Sequence, residues 1–244
     1  PSPVYDMSGD WTPIVGGDED TKFPSTYALA RPYGDGRVLA IGDGGMFAAA
    51  NTLDNGTFLE NATKWLDRFD GRKIRYTTGH NETVKSARYA ELAVRLADEG
   101  YSFSALPGMI TPDELAETSV LIVGNAWHEL TAYEIEQVRQ FVEAGGGLWL
   151  VGLGWSWQPY HPGTTIEDYP MTKLGAPFEV RWLREVVTDP TNALNGSPVL
   201  HTFYPNVPEL SVPGSLATIR AVHSAFPAEL PLALETDDRL RRAY

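Results

Sequence analysis

Three stretches of the chain carry residue types able to do chemistry. In Gly154-Trp155-Ser156-Trp157-Gln158 a serine follows an apolar run, where α/β hydrolases present a nucleophile. Such an elbow needs small residues on both sides of the serine, a base in reach and a group that orients the base. Here Trp157 and Gln158 stand where the turn wants room, and Pro159 and Pro162 oppose the helix that should follow. Ser156 as nucleophile, with His161 or His128 as base and Asp43 or Glu129 as orienter, is therefore the alternative and not the first reading. His128-Glu129-Leu130 matches the start of H-E-x-x-H, but the second histidine would fall on Ala132. Gly42-Asp43-Gly44-Gly45 starts like a dinucleotide-binding loop, yet its third glycine would be Phe47. The acidic run from Gly16 to Thr21 lacks the alternating oxygens and distal Glu of a calcium loop. With no cysteine in the chain, thiolate zinc and a thiol nucleophile are excluded. No cofactor and no metal are expected.

What remains is aromatic. Trp155, Trp157, Tyr160 and His161 follow one apolar run, and Trp127 and His128 follow another. Flat rings with polar tips at a cleft suit sugar or peptide recognition, because faces stack while N–H and O–H groups fix orientation. The competing reading is that these rings only cover the end of the core. Asp43, Trp127, His128, Trp155, Trp157, Tyr160 and His161 are the candidate ligand-binding residues.

Their positions depend on the elements around them. "RVLAIG" (37 to 42), "KIRYTTG" (73 to 79), "YSFSALP" (101 to 107), "SVLIVGN" (119 to 125) and "GLWLVGL" (147 to 153) read as strands. Between them lie helical patterns. Residues 55 to 69 place Phe58, Leu59, Ala62, Trp65, Leu66 and Phe69 at helical spacing, and residues 81 to 100 place Ala87, Ala90, Leu92, Val94 and Leu96 on one face. Residues 130 to 146 carry a Thr131/Glu134 capping box, a stripe of Ile135, Val138, Phe141 and Val142, and a stop at Gly145. Strands alternating with helices predict a doubly wound α/β domain on a parallel sheet, with ligands bound beyond the carboxyl ends of its strands. Residues 1 to 36, rich in Pro, Gly and Asp, read as an irregular lead-in. After about residue 164 the pattern blurs, and "PFEVRWL", "PVLHTFYP" and "SLATIRAVHSAF" could be strands or short helices, read as edge additions. The α/β domain is expected over 37 to 182, with residues 183 to 244 an extension packed on it.

The formal charge of -13 argues against a nucleic-acid partner, which needs clustered Lys and Arg. No run reaches the length of a membrane span. The start of the chain lacks the basic and apolar parts of a signal peptide, so it is expected to be a mature form, a cytosolic protein or an excised domain. Sequons at Asn55, Asn61 and Asn81 would matter only in a eukaryotic secretory setting.

The segments "GRVLAIGDGGMF", "DNGTFLENATKWL", the run from Val120 to Trp157, and "HPGTTIEDYPMTKLGAPF" together resemble the class I glutamine amidotransferase-like domain found in enhancin-like (mucin-targeting) metallopeptidases and TRP-channel-associated factors. The resemblance spans about Gly36 to Trp182. It rests on the "FLxNAxxWL" helix, the "FVxxGGGL" helix end, the Trp155-x-Trp157 pair and the "YPxxKL" segment from Tyr169 to Leu174. It implies a mostly parallel, flavodoxin-like α/β sheet in a non-catalytic relative of glutamine amidotransferases, since the nucleophilic cysteine is missing. The function expected is a binding or scaffolding module, secreted or at the cell surface. It would take a glycan or peptide ligand, or neighbouring domains of a longer chain.

Overall fold

A computed structural model describes residues 2–16, 26–50 and 55–185. In chain order its elements are β1 (Val4–Asp6), β2 (Thr12–Gly16), β3 (Thr26–Tyr33), β4 (Gly36–Ile41), α1 (Gly45–Ala48), α2 (Asn55–Leu66), β5 (Lys73–Thr77), α3 (Ala90–Ala97), β6 (Ser102–Leu106), α4 (Pro112–Ala116), β7 (Val120–Gly124), α5 (Ala132–Glu143), β8 (Gly147–Val151), α6 (Gly154–Tyr160), α7 (Pro170–Gly175) and β9 (Val180–Trp182). Seven strands form one sheet in the order β2-β3-β4-β8-β7-β5-β6. The five from β4 to β6 are parallel to their neighbours, while β2 and β3 add antiparallel. The apolar runs are continuous because both faces are covered, one residue facing each way in turn. Leu39, Ile41, Val120, Ile122, Trp149 and Val151 pack with α1, α2 and α3, whereas Val38, Ala40, Leu121, Val123, Leu148 and Leu150 pack with the helices from α4 to α7.

Within the sheet, β6-β5-β7-β8-β4 repeats the flavodoxin strand order 2-1-3-4-5. The fifth place is taken by the parallel strand that comes first in the chain. The fold is thus flavodoxin-like α/β, with its edge strand supplied from the amino-terminal side.

Three sequence expectations need correction. Residues 1 to 36 are not irregular throughout, for they hold β1, β2 and β3. β3 reaches β4 through a tight turn at Gly34 and Asp35, and Ala28 and Ala30 face one layer while Leu29 faces the other. Phe69 and Val94 lie outside the core, at 65% and 69% exposure, and Ala87 and Ala90 are exposed as well. α2 ends at Leu66, and a 3-10 turn over Ser86–Tyr89 re-phases α3 so that Tyr89, Leu92 and Leu96 turn inward. Finally, "PFEVRWL" does not extend the main sheet: its strand β9 pairs with β1 in a separate two-stranded ribbon. Beyond Glu185 the expected C-terminal additions lie outside the described residues, as does the acidic run after Gly16. Asn55 and Asn61 are buried, so of the three sequons only Asn81 is exposed.

Candidate functional site

A ligand crevice opens in such a sheet where neighbouring strands send their chains to opposite faces. That occurs twice here. β4 leads to α1 on one face and β8 leads to α6 on the other, and likewise β5 leads to α3 and β7 to α5.

The β4/β8 crevice is filled by the chain itself. Ser2 N donates to Gly42 O (2.7 Å), and Trp155 N donates to Ser2 Oγ (3.0 Å). The buried Trp182 indole lies over Gly152 and donates from Nε1 to Ile41 O (2.9 Å). A side chain on Gly42 would overlap Ser2 O and one on Gly152 would overlap the Trp182 ring, so both glycines are required by close approach. Asp43 sits here too, buried, with Oδ1 accepting from Gly45 N (2.7 Å).

The β5/β7 crevice is polar, and its content was not foreseen from the sequence. His80, Glu82 and Glu134 are all buried. His80 Nε2 lies 2.9 Å from Glu134 Oε1, and His80 Nδ1 faces Glu82 Oε1 at 3.7 Å, beyond hydrogen-bond length but within strong electrostatic reach. Glu82 Oε2 accepts from His80 N (3.0 Å). Glu134 also accepts from Ile110 N (3.0 Å) and Thr131 N (2.8 Å), so one carboxylate pins the starts of α4 and α5. The Glu82 carboxylate raises the His80 imidazole above its usual range more than burial lowers it, and Glu134 adds to the rise. Burial alone would raise Glu82 and Glu134, yet their hydrogen bonds hold both carboxyls below the usual range. Two asparagines carry the left-handed backbone that the crevice rim requires: Asn81 at φ 51° and Asn125 at φ 55°. Asn125 O accepts from Thr83 N (3.1 Å), and its side-chain oxygen accepts from Leu153 N (3.2 Å) and from the Tyr169 hydroxyl.

Above this knot lies an aromatic surface. His80 O accepts from Trp127 N (3.0 Å) and His128 N (2.8 Å), which fixes the loop after β7. The Trp127 ring meets Tyr160 (5.2 Å, tilted) and His161 (5.2 Å, edge-on), while Trp157 stacks on His161 at 3.6 Å. Tyr160 is 62% exposed, Trp127 and His161 are half-buried, and Trp157 is buried. Four of the seven sequence candidates thus form one contiguous group. His128 stands exposed beside it, whereas Trp155 makes no ring contact with it among the described residues and, with Asp43, belongs to the filled crevice.

Ser156 is the helix's own. Contrary to the expectation from Pro159 and Pro162, α6 starts at Gly154 directly after β8, and Pro159 is accommodated in its last turn. Ser156 is buried, and its Oγ donates to Leu153 O (2.7 Å), closing the first turn. His161 Nδ1 contacts Trp157 O (3.0 Å), and Glu129 pairs with Lys173 (2.6 Å). Those contacts join neither residue to Ser156. Among the described residues no group of three or more His, Cys, Asp or Glu has the arrangement of a metal site.

A cavity of about 450 Å³ lies at the opposite, amino edge of the sheet, between Phe69, Leu115, Gln137 and Phe141. Its other polar groups are already engaged within the chain: Asp67 accepts from Gly71 N and Arg72 N, Ser119 Oγ bonds Lys73, and Thr118 bonds Glu114 O. It offers little to orient a ligand, which makes the carboxyl edge the stronger candidate.

The fold class is shared with known proteins. No protein-family model matches the chain. It is similar to TRPM8 channel-associated factor 2 of Bos taurus, 29% identical over 148 residues, which is 59% of this chain and 14% of that protein. It is similarly 29% identical over 154 residues to TRPM8 channel-associated factor 1 of Homo sapiens, covering 63% of this chain and 14% of that one. Among solved structures, the IMPa metallopeptidase from Pseudomonas aeruginosa matches with a TM-score of 0.52 and 14% identity, over 97% of this chain and 24% of that chain. IMPa in complex with an O-glycopeptide matches at 0.51 and 15% identity, over 75% and 19%. The match therefore spans a small part of each of these longer proteins. Among the described residues no helix is long and apolar enough to cross a membrane. The residues carrying the sequence resemblance are mostly core positions: Phe58, Leu59, Asn61, Ala62, Trp65, Leu66, Tyr169 and Leu174 are all buried.

Proposed function

We propose that this chain is a non-catalytic, class I glutamine amidotransferase-like binding module that recognises a glycan or glycosylated peptide over Trp127, Tyr160 and His161, with His128 at the rim. The observation that carries the reading is the ring cluster itself. An exposed tyrosine stands against a half-buried tryptophan and histidine at the carboxyl edge, presenting flat apolar ring faces. The engagement of Ser156 Oγ with Leu153 O supports a binding role over a hydrolytic one. The similar factors and the metallopeptidase are several times longer than the matched stretch, which supports a module working beside other domains, and a secreted or cell-surface setting fits a glycan ligand.

The test is a titration of the full chain with an O-glycopeptide and with the same peptide lacking its sugar, followed by calorimetry. Saturable binding of the glycopeptide, weakened about 3- to 10-fold by Tyr160→Ala through loss of one aromatic contact, supports the reading. Equal binding by wild type and the Tyr160→Ala and Trp127→Ala variants contradicts it.

A further inference from the structure

We infer that His80 is a proton-operated clasp that sets the position of the Trp127 loop, making the aromatic surface responsive to pH. The inference deepens the binding reading above, and rests on it only for what the surface does. Trp127 has no side-chain hydrogen bond among the described residues, and its buried Nε1 is unpartnered there. Its ring is therefore placed by its backbone, by the apolar core it packs against and by Tyr160 and His161. The backbone at Trp127 and His128 is held by one acceptor, His80 O. His80 in turn is held by its backbone N–H on Glu82 Oε2 and by its ring, between Glu82 on its own loop and Glu134 at the start of α5; only the ring contacts depend on its proton.

The imidazolium suits that place because each ring N–H then points at a carboxylate. A neutral imidazole keeps one N–H, and the other nitrogen turns a lone pair toward a buried anion, which repels it. His80 Nδ1 and Glu82 Oε1 face each other without a hydrogen bond among the described residues, so this contact is the one that proton loss loosens first. The groups around the ring are few. Glu82 and Thr77 stand on the β5 side, Glu134 on α5, and His128 at the loop after β7, while the Tyr89 hydroxyl is bonded to Val84 O and is held neutral by burial. No Lys or Arg side chain pairs with Glu82 or Glu134 among the described residues, so the proton on His80 is the local countercharge. Deprotonation leaves two buried carboxylates with no cation and loosens the ring's hold on His80, so that the 79 to 82 segment shifts between ends fixed by Thr78 N on Leu106 O and Thr83 N on Asn125 O, carrying His80 O and the Trp127 backbone with it.

The test needs no ligand, so its outcome is independent of whether the surface binds a glycan. The full chain is followed by NMR from pH 5.5 to 9, reading the His80 imidazole and the Trp127 indole N–H. The expected result is a His80 midpoint above 6.5 and a Trp127 shift with the same midpoint. Because His161 also touches Trp127, His161→Asn must retain that shift and His80→Gln must lose it. Glu82→Gln, which leaves His80 in place, must lower both midpoints together, and it decides the matter if His80→Gln fails to fold. A His80 midpoint at or below 6.5, a Trp127 resonance that stays still while His80 titrates, or a Trp127 shift lost in His161→Asn but kept in His80→Gln overturns the inference.

Discussion

The two crevices at the carboxyl edge of this sheet are built from the same strand-and-loop geometry and are used in opposite ways. Between β4 and β8 the chain closes the gap with its own Ser2 and the Trp182 indole, and the flanking glycines allow that close fit. Between β5 and β7 the gap is bridged by charged groups, and the loops above it hold rings toward solvent. The contrast separates packing from presentation: the Trp182 indole in the first crevice acts as core, while Tyr160, Trp127 and His161 above the second keep exposed faces.

Breaking the packed crevice should have the largest effect. Trp182→Ala removes a fully buried indole and its bond to Ile41 O, and urea unfolding is expected to show a loss of about 4 kcal/mol. Glu134→Ala attacks the polar crevice, stripping His80, Ile110 and Thr131 of their shared acceptor, for a loss of about 3 kcal/mol in the same measurement.

The pH dependence of stability follows from the shifts in that crevice. His80 is raised above 6.5, so its contribution is complete below pH 6.5 and falls away as pH rises through the folded value. Glu82 and Glu134 are held below 4.5, so theirs is present above pH 4.5 and is lost on acidification. The urea midpoint should therefore be highest between these limits, and His80→Gln should flatten the alkaline side and also weaken the acid limb, because His80 helps to hold both carboxyls low. An unchanged alkaline limb in that variant would remove His80 from the account.

Much of the frame was legible in the sequence, and the reasons are local. The strand over 119 to 125 is apolar without interruption because both its faces are covered, and the Thr131/Glu134 box and Gly145 mark the two ends of α5. β3 was hidden because its residues sit among prolines and glycines and gain their order from pairing with β4, a partner that local composition does not reveal. The aromatic group was half legible: the spacing after β7 and β8 pointed to one edge, but it could not show that the Trp155 backbone bonds Ser2 while the Trp157 ring stacks on His161. The His80 knot was missed because Gly79-His80-Asn81-Glu82 reads as a polar surface loop. Only the meeting of three loops buries it. Glu134 was read for its cap alone, and its bonds to Ile110 and His80 depend on tertiary contacts.

The smallest effects fall on the presented side. Tyr160→Ala should cost under about 0.5 kcal/mol in stability because the ring is mostly exposed, even as ligand affinity drops. Ser156→Ala loses one helix-start hydrogen bond, about 1 kcal/mol, and should leave ligand affinity unchanged. A Ser156→Ala variant that lost a measurable esterase activity would instead favour the hydrolytic alternative.

The most direct test of the central claim is to follow all seven tryptophan indole N–H resonances during an O-glycopeptide titration. The account predicts that Trp127 shifts and saturates with the ligand, that Trp157 follows through His161, and that Trp155 and Trp182 in the filled crevice stay in place. Saturating shifts at Trp155 and Trp182 with none at Trp127, or shifts confined to backbone resonances around Phe69 and Phe141 at the amino edge, would contradict it.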